Sequence, residues 1–373
     1  MIAWFRYICL IVSLIITMPE LLSAQRLVSQ RQEDVEAGLL YNESVYILSN
    51  YSCLSSNSPE KLSLDELLRK QIEGFYFYLK RDTETNVLLL RKPDGTFTPF
   101  SESLEAIKTA LDADSTKVMT LFLDFYVETE LESSFKEIGL MEYVLEYDTK
   151  NGWPSLKDML SSGKRLVVFE VQKHLNSPSW LHNMRDFVEH TDADWGNQPE
   201  GVESFDERLK KNLSLFTGYK FLETSRGNSN DISALARQTP YLIESFKRAW
   251  IRDGRVPNFI LVDKYYAWLD VSLVTFRNFD IIYGAVTNNN ELLNYVNWDG
   301  MSNYTTGKYC FPLEPGAELM LSPISPGYRI EPATVYVSGT QRKAFAGDFK
   351  ARPLRIDEDI EIYLPFEGDE KDG

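Results

Sequence analysis

The sequence predicts an α/β protein: a TIM-type (β/α) barrel followed by a small, β-rich C-terminal appendage. Three observations carry that expectation. Short apolar runs alternate with helical periodicity at least five times between residues 40 and 300, the pattern of parallel βα units rather than of a meander. Hydrophobic residues make up 43% of the 373 and aromatic residues 13%, enough for a large core. From 305 to 368 the texture changes to alternating runs broken by prolines, among them Pro312, Pro323, Pro332 and Pro353, without a helical period.

Taken in order, the first segment stands outside this fold. Arg6 precedes an apolar run from Tyr7 to Met18, then Pro19 and the string LLSAQ, which together read as a signal peptide over residues 1–24. A run of about 12 residues is shorter than the roughly 20 that a spanning helix needs, so no transmembrane segment is expected. The expected location is secreted or extracytoplasmic. SVYIL at 44–48 reads as the first strand. Ser63-x-x-Glu66 is a capping box that opens a helix with Leu64, Leu67, Leu68 and Ile72 on one face. GFYFYL makes a strand at 74–79, SLEAIKTAL a helix aligned on Leu104, Ile107 and Leu111, and KVMTLFLDF a strand over 118–124. LKDML precedes RLVVFEV at 165–171, and YLIESFKRAW precedes PNFILVDKY, whose strand covers 258–263. FDIIYGAV supplies a last barrel strand at 280–286.

Charge excludes some functions. With 39 basic and 55 acidic residues the net charge is −16, which opposes a nucleic-acid footprint and a broad basic face for anionic membranes. The oligomeric state has no signature. After signal removal Cys53 and Cys310 are the two remaining thiols, and in an oxidising compartment two thiols usually pair. A disulfide between them is therefore expected, tying the loop after the first strand to the appendage. Sequons at Asn42, Asn50, Asn212 and Asn303 matter in a eukaryotic source.

GWPSLKDMLSSGKRLVVFEV at 152–171 resembles a segment of the phosphatidylinositol-specific phospholipase C X-domain family, of the phospholipase C-like phosphodiesterase superfamily. LLRKQIEGFYFYL at 67–79, SLEAIKTALDADSTKVMTLFLDF at 103–125 and VPNFILVDKYY at 256–266 are similar to three more of its segments, in the same order, and DWGNQPEG at 194–201 to one of its loops. The resemblance implies a TIM-type barrel over residues 40–300 with its site at the C-terminal strand ends. It also implies phosphodiester cleavage, with one His as base on the inositol hydroxyl and a second as acid on the leaving oxygen. An Arg or Ca²⁺ would stabilise the developing charge.

The positions that should carry this chemistry hold other residues. Ser49 stands where the first His falls, followed by Asn50, and the second position offers Arg91 and Lys92. Tyr76 and Tyr78 fill the places of a strand-two Arg and carboxylate. Serine takes up no proton near neutrality, and a guanidinium with a pKa above about 12 cannot act as general acid. Two tyrosines do not replace a Ca²⁺-binding carboxylate, so neither Ca²⁺ nor another metal or cofactor is expected. Asp263 matches the family's His-orienting acid, and Asp124 ends the third strand. The two are either a residual polar site or strand-end carboxylates held by a Lys or a backbone donor. His174 follows RLVVFEV as a candidate displaced acid or base. Tyr76, Tyr78, Arg91, Lys264 and Tyr266 are candidates to line a pocket for a phospholipid or phosphodiester head group, with Tyr265 and Trp268 beside them. His182 and His190, near Asp192 and Asp194, form a loose metal-like grouping or are ordinary surface histidines. Two functions stay open: a catalytically degenerate barrel acting as a binding or interaction module, and an active phosphoric diester hydrolase with a rearranged site.

Overall fold

A computed structural model describes residues 31–52, 62–70, 72–125, 131–147, 150–172, 177–192, 215–219, 247, 250–251, 254, 256–262, 275–300, 304–305, 307–339 and 342–355. After a helical turn at 31–36, the chain forms β1 (Tyr46–Ser49), α1 (Leu64–Arg69) and β2 (Gly74–Arg81). A hairpin excursion of β3 (Leu88–Arg91) and β4 (Phe97–Pro99) leads into α2 (Phe100–Ala113) and β5 (Met119–Asp124). Then come α3 (Leu131–Ile138), α4 (Leu156–Ser162), β6 (Leu166–Glu170), β7 (Leu181–Asn183) and the four-residue α5 (Met184–Phe187). The sheet is completed by β8 (Val188–Asp192), β9 (Leu215–Tyr219) and β10 (Phe259–Val262).

Local signals account for these elements. Ser63 Oγ accepts from the Glu66 backbone while Glu66 Oε2 accepts from the Ser63 backbone, so the capping box closes α1 as expected. Ser155 caps α4, and Gly163, in the left-handed region at φ 73°, ends it. In α2, Phe100, Leu104, Ile107 and Leu111 are buried, the face that the sequence periodicity requires.

Eight strands run parallel in the order β7-β6-β5-β2-β1-β10-β9-β8. This is a cyclic succession in which the first strand joins the last. The sheet is rolled. Phe122 of β5 and Phe259 of β10 are separated by two strands, about 14 Å at the usual interstrand spacing, yet their ring centroids lie 5.2 Å apart. Phe169 of β6 closes on the same Phe259 at 6.1 Å. The ring is not closed, because among the described residues β7 and β8 exchange no ladder hydrogen bonds. The expected barrel is thus corrected to an open, barrel-like parallel sheet.

A second correction concerns the strand expected at 280–286. It forms as β11 (Asp280–Asn288), but it belongs to the C-terminal module. There follow β12 (Glu291–Leu292), β13 (Val296–Trp298), β14 (Tyr304–Thr305), β15 (Lys308–Leu313), β16 (Glu318–Leu321), β17 (Pro323–Ile324), β18 (Tyr328–Glu331), β19 (Val335–Ser338) and β20 (Lys343–Pro353). β11 pairs antiparallel with β15 and parallel with β20, while β10 already occupies the place beside β1. From Ile282 on, its burial alternates, as suits a sheet wetted on one side rather than a strand buried on both faces. The module has its own core around Trp298, Tyr309, Phe311 and Phe349. The β-rich appendage is therefore present and begins at β11.

A buried charge cluster fastens the two parts at the N-terminal ends of the strands. Glu73, just before β2, is bonded by Arg31 and lies 2.9 Å from Arg277 Nη2, while its second oxygen accepts from the Ile47 backbone. Asp34 is paired with Arg31 and Arg342, and Arg342 also donates to the carbonyls of Phe279 and Arg277. Burial, reinforced by Arg31, pushes Arg277 down to about 10.

The expected Cys53–Cys310 disulfide is not found. Cys310, in β15, is a free, buried thiol whose Sγ accepts from Trp250 Nε1 at 3.0 Å, and burial pushes it up to about 12. Cys53, the signal segment 1–24 and most of YLIESFKRAW lie outside the described residues.

Candidate binding site at the barrel mouth

Register determines which side chains look into the barrel, since partners in a ladder share a face. Tyr76 pairs with Phe122 and Phe122 with Phe169, both inside; one step up, Tyr78 pairs with Asp124. Tyr76, Tyr78 and Asp124 therefore line the interior at the C-terminal strand ends, the mouth. Leu48 lies on the same face through Gly74 and Thr120, and Asn50 follows β1 directly. Ser49 does not share that face. It pairs with Phe75 on the helix-facing side and is buried there, in a layer where Phe75 stacks on Phe77 and Phe77 meets Phe100 of α2.

Hydrogen bonds fix the mouth. The Tyr76 hydroxyl donates to Asp124 Oδ2 at 2.9 Å, and Gln172 Nε2 donates to Oδ1 at 3.3 Å. Asp124 is thereby held through both oxygens. The Arg91 guanidinium lies over the Tyr78 ring, 5.6 Å from its centroid, a cation–π pair that places a positive charge beside Asp124's strand neighbour. Ser52 Oγ accepts from the Tyr78 backbone at 2.8 Å and donates to the Arg91 carbonyl at 3.0 Å, stapling the loop after β1 across β2 and β3.

Other acidic and imidazole groups near the strands are used structurally. Glu170, buried at the end of β6, shares the outer face with Leu123 and accepts from Ser177 Oγ at 2.6 Å and Asn183 Nδ2 at 3.2 Å. His182 sits in an aromatic box of Tyr147, Trp153, Phe169 and Phe187, with Nε2 donating to the Leu145 carbonyl at 3.2 Å. Burial lowers its pKa, so the imidazole is neutral. This is a core histidine rather than half of a metal pair. Among the described residues no group of three or more His, Cys, Asp or Glu side chains is placed to hold a metal ion.

The structure thus brings Tyr76, Tyr78, Asp124 and Arg91 together, leaves Asn50 in the loop that follows β1, and sends Ser49 elsewhere. Asp263, Lys264, Tyr265, Tyr266, Trp268, His174 and Asp194 lie outside the described residues. Sequence reasoning missed Gln172 and Ser52. Their bonds reach 48, 26 and 39 residues along the chain, and no local motif marks such partners. Chemically, the described mouth offers hydroxyl and amide donors, aromatic faces and one guanidinium.

An open parallel α/β barrel with a polar, aromatic mouth defines the class of protein. Comparison with known proteins refines it. Residues 90–199, from β3 past β8, match the family model described as PI-PLC X 1. No curated protein matches the chain. Among solved structures, the phosphatidylinositol-specific phospholipase C of Listeria monocytogenes aligns at 13% identity and a TM-score of 0.40, over 65% of this chain and 98% of its own. A mutant of the Staphylococcus aureus enzyme of the same name aligns at 14% identity and a TM-score of 0.40, over 65% of this chain and 97% of its own. Superpositions at that level carry no argument about chemistry. The resemblance to the phosphatidylinositol-specific phospholipase C X family is shown, by the family model, over residues 90–199.

Proposed function

We propose that this chain is a secreted phospholipase C X-like protein whose barrel mouth binds a phospholipid or phosphodiester head group without cleaving it. The observation that carries the reading is the mouth itself. Tyr76, Tyr78 and Asp124 take the inward positions of β2 and β5, no imidazole is among them, and Asp124 is held by two donors. Cleavage needs a proton acceptor on the attacking hydroxyl and a donor on the leaving oxygen, with pKa values near the working pH. Binding needs less. Arg91 supplies a positive charge for the phosphate, and hydroxyl, amide and ring faces suit a polyol. Export is supported by Arg6, the apolar run to Met18 and the small residues near Ala24.

The test pairs turnover with binding. Phosphatidylinositol, a lysophospholipid and glycerophosphoinositol are expected to remain intact with and without Ca²⁺, and Ca²⁺ is expected to leave the melting temperature unchanged. Glycerophosphoinositol is expected to bind in calorimetry, and Arg91→Ala to weaken it by about tenfold, the scale of a lost charge-assisted contact. Turnover that Asp263→Asn abolishes would overturn the reading in favour of an active diester hydrolase.

A further inference from the structure

The C-terminal module has a groove of its own, of about 430 Å³, within the range of small-ligand sites. Three pieces of backbone build it. The β11–β12 hairpin turns through Asn289 and Asn290, both in the left-handed region at φ 49° and 69°, as a two-residue hairpin loop requires. The stretch from Leu293 to Tyr295 is fixed where the Leu293 amide donates to the Val286 carbonyl at 3.1 Å. The turn at 325–328 is tied to it by Ser325 Oγ, which donates to the Tyr295 carbonyl at 2.8 Å.

The lining is selective. Tyr295 and Tyr328 are its aromatic residues and Leu292, 51% exposed, is apolar; the rest includes Asn288 and Asn294, with their amides, and Glu291, with its carboxylate. No Lys or Arg is among the described lining residues, which disfavours phosphate, sulfate and acidic sugars. A wholly apolar ligand would make no use of the two amides and the carboxylate, which water would go on solvating. A neutral sugar has what this groove lacks: C–H faces for the rings, and adjacent hydroxyls that donate to a carboxylate while accepting from an amide. We propose that the groove is a binding site for a neutral saccharide, separate from the barrel mouth and independent of what the mouth binds.

The experiment is calorimetric titration of the full chain with cellohexaose, maltohexaose, xylohexaose and chitohexaose, each to about 5 mM, a range that reaches the weak affinities expected of small polar ligands. One-to-one binding of at least one is expected, undisturbed by glycerophosphoinositol, so that this proposal and the mouth reading fail separately. Tyr295→Ala and Glu291→Gln alter exposed side chains and are expected to keep the melting temperature while weakening the saccharide by about tenfold each. Silence from all four sugars overturns the proposal, as does binding that neither variant weakens. Tighter binding of a heparin hexasaccharide than of any neutral sugar overturns its chemistry.

Discussion

At the residue scale, His182 shows how context decides what a side chain does. Sequence spacing alone set it beside His190 and two acids; the fold sets it in an aromatic box with its Nε2 on a carbonyl. Because burial holds its pKa below the ordinary value of 6.5, the unfolded chain binds the proton more readily. Its contribution to stability is complete above about pH 6.5 and is lost as the pH falls below it. Melting curves between about pH 7.5 and 5 are expected to show that loss, and His182→Leu to flatten it. An acid-side slope equal in wild type and variant would contradict the assignment. Of the mouth residues, Asp124 and the two tyrosines were legible, since alternation along an apolar strand names its end residues. That Ser49 faces the helices follows from its register against β2, which no single strand contains.

At the level of elements, the strands that the sequence announces most plainly are β5 and β6, buried on both faces. MTLFLD in β5 and LVVFE in β6 are near-continuous apolar runs, as parallel central strands are. β7 and β8 go unannounced because LHN and VEHTD carry little β signal, and their neighbours pull them into the sheet. β11 is legible as a strand but its sheet is not, since pairing partners are a tertiary fact. Gly74 carries a sharper prediction. A Cβ there would meet the Thr120 carbonyl oxygen at 2.1 Å, inside the β2–β5 ladder where backbone has no room to shift. Gly74→Ala is expected to destabilise the fold by on the order of 3 kcal/mol, read from the urea midpoint. An unchanged midpoint would show that the two strands are not so close.

For the whole molecule, the charge cluster beneath the barrel matters most. Arg31 near the start of the described chain, Glu73 at the foot of β2, and Arg277 and Arg342 of the C-terminal region meet in one buried site. Removing one charge of such a group leaves the others uncompensated, which costs about 3–5 kcal/mol. Glu73→Gln keeps the shape but frees two guanidinium groups, so a loss of that size is expected in denaturant titration. A loss below about 1 kcal/mol would mean that solvent already screens the cluster, as it does an exposed pair.

The missing ladder between β7 and β8 has a consequence for how the barrel deforms. Where a complete ring would have hydrogen bonds, this one has α5, a covalent link of four residues. The sheet is thus a split ring with a hinge at the split. Hydrogen bonds lock the spacing of the other neighbouring strand pairs, so a change of girth would fall mainly on that short link and would break no rung of the ladder.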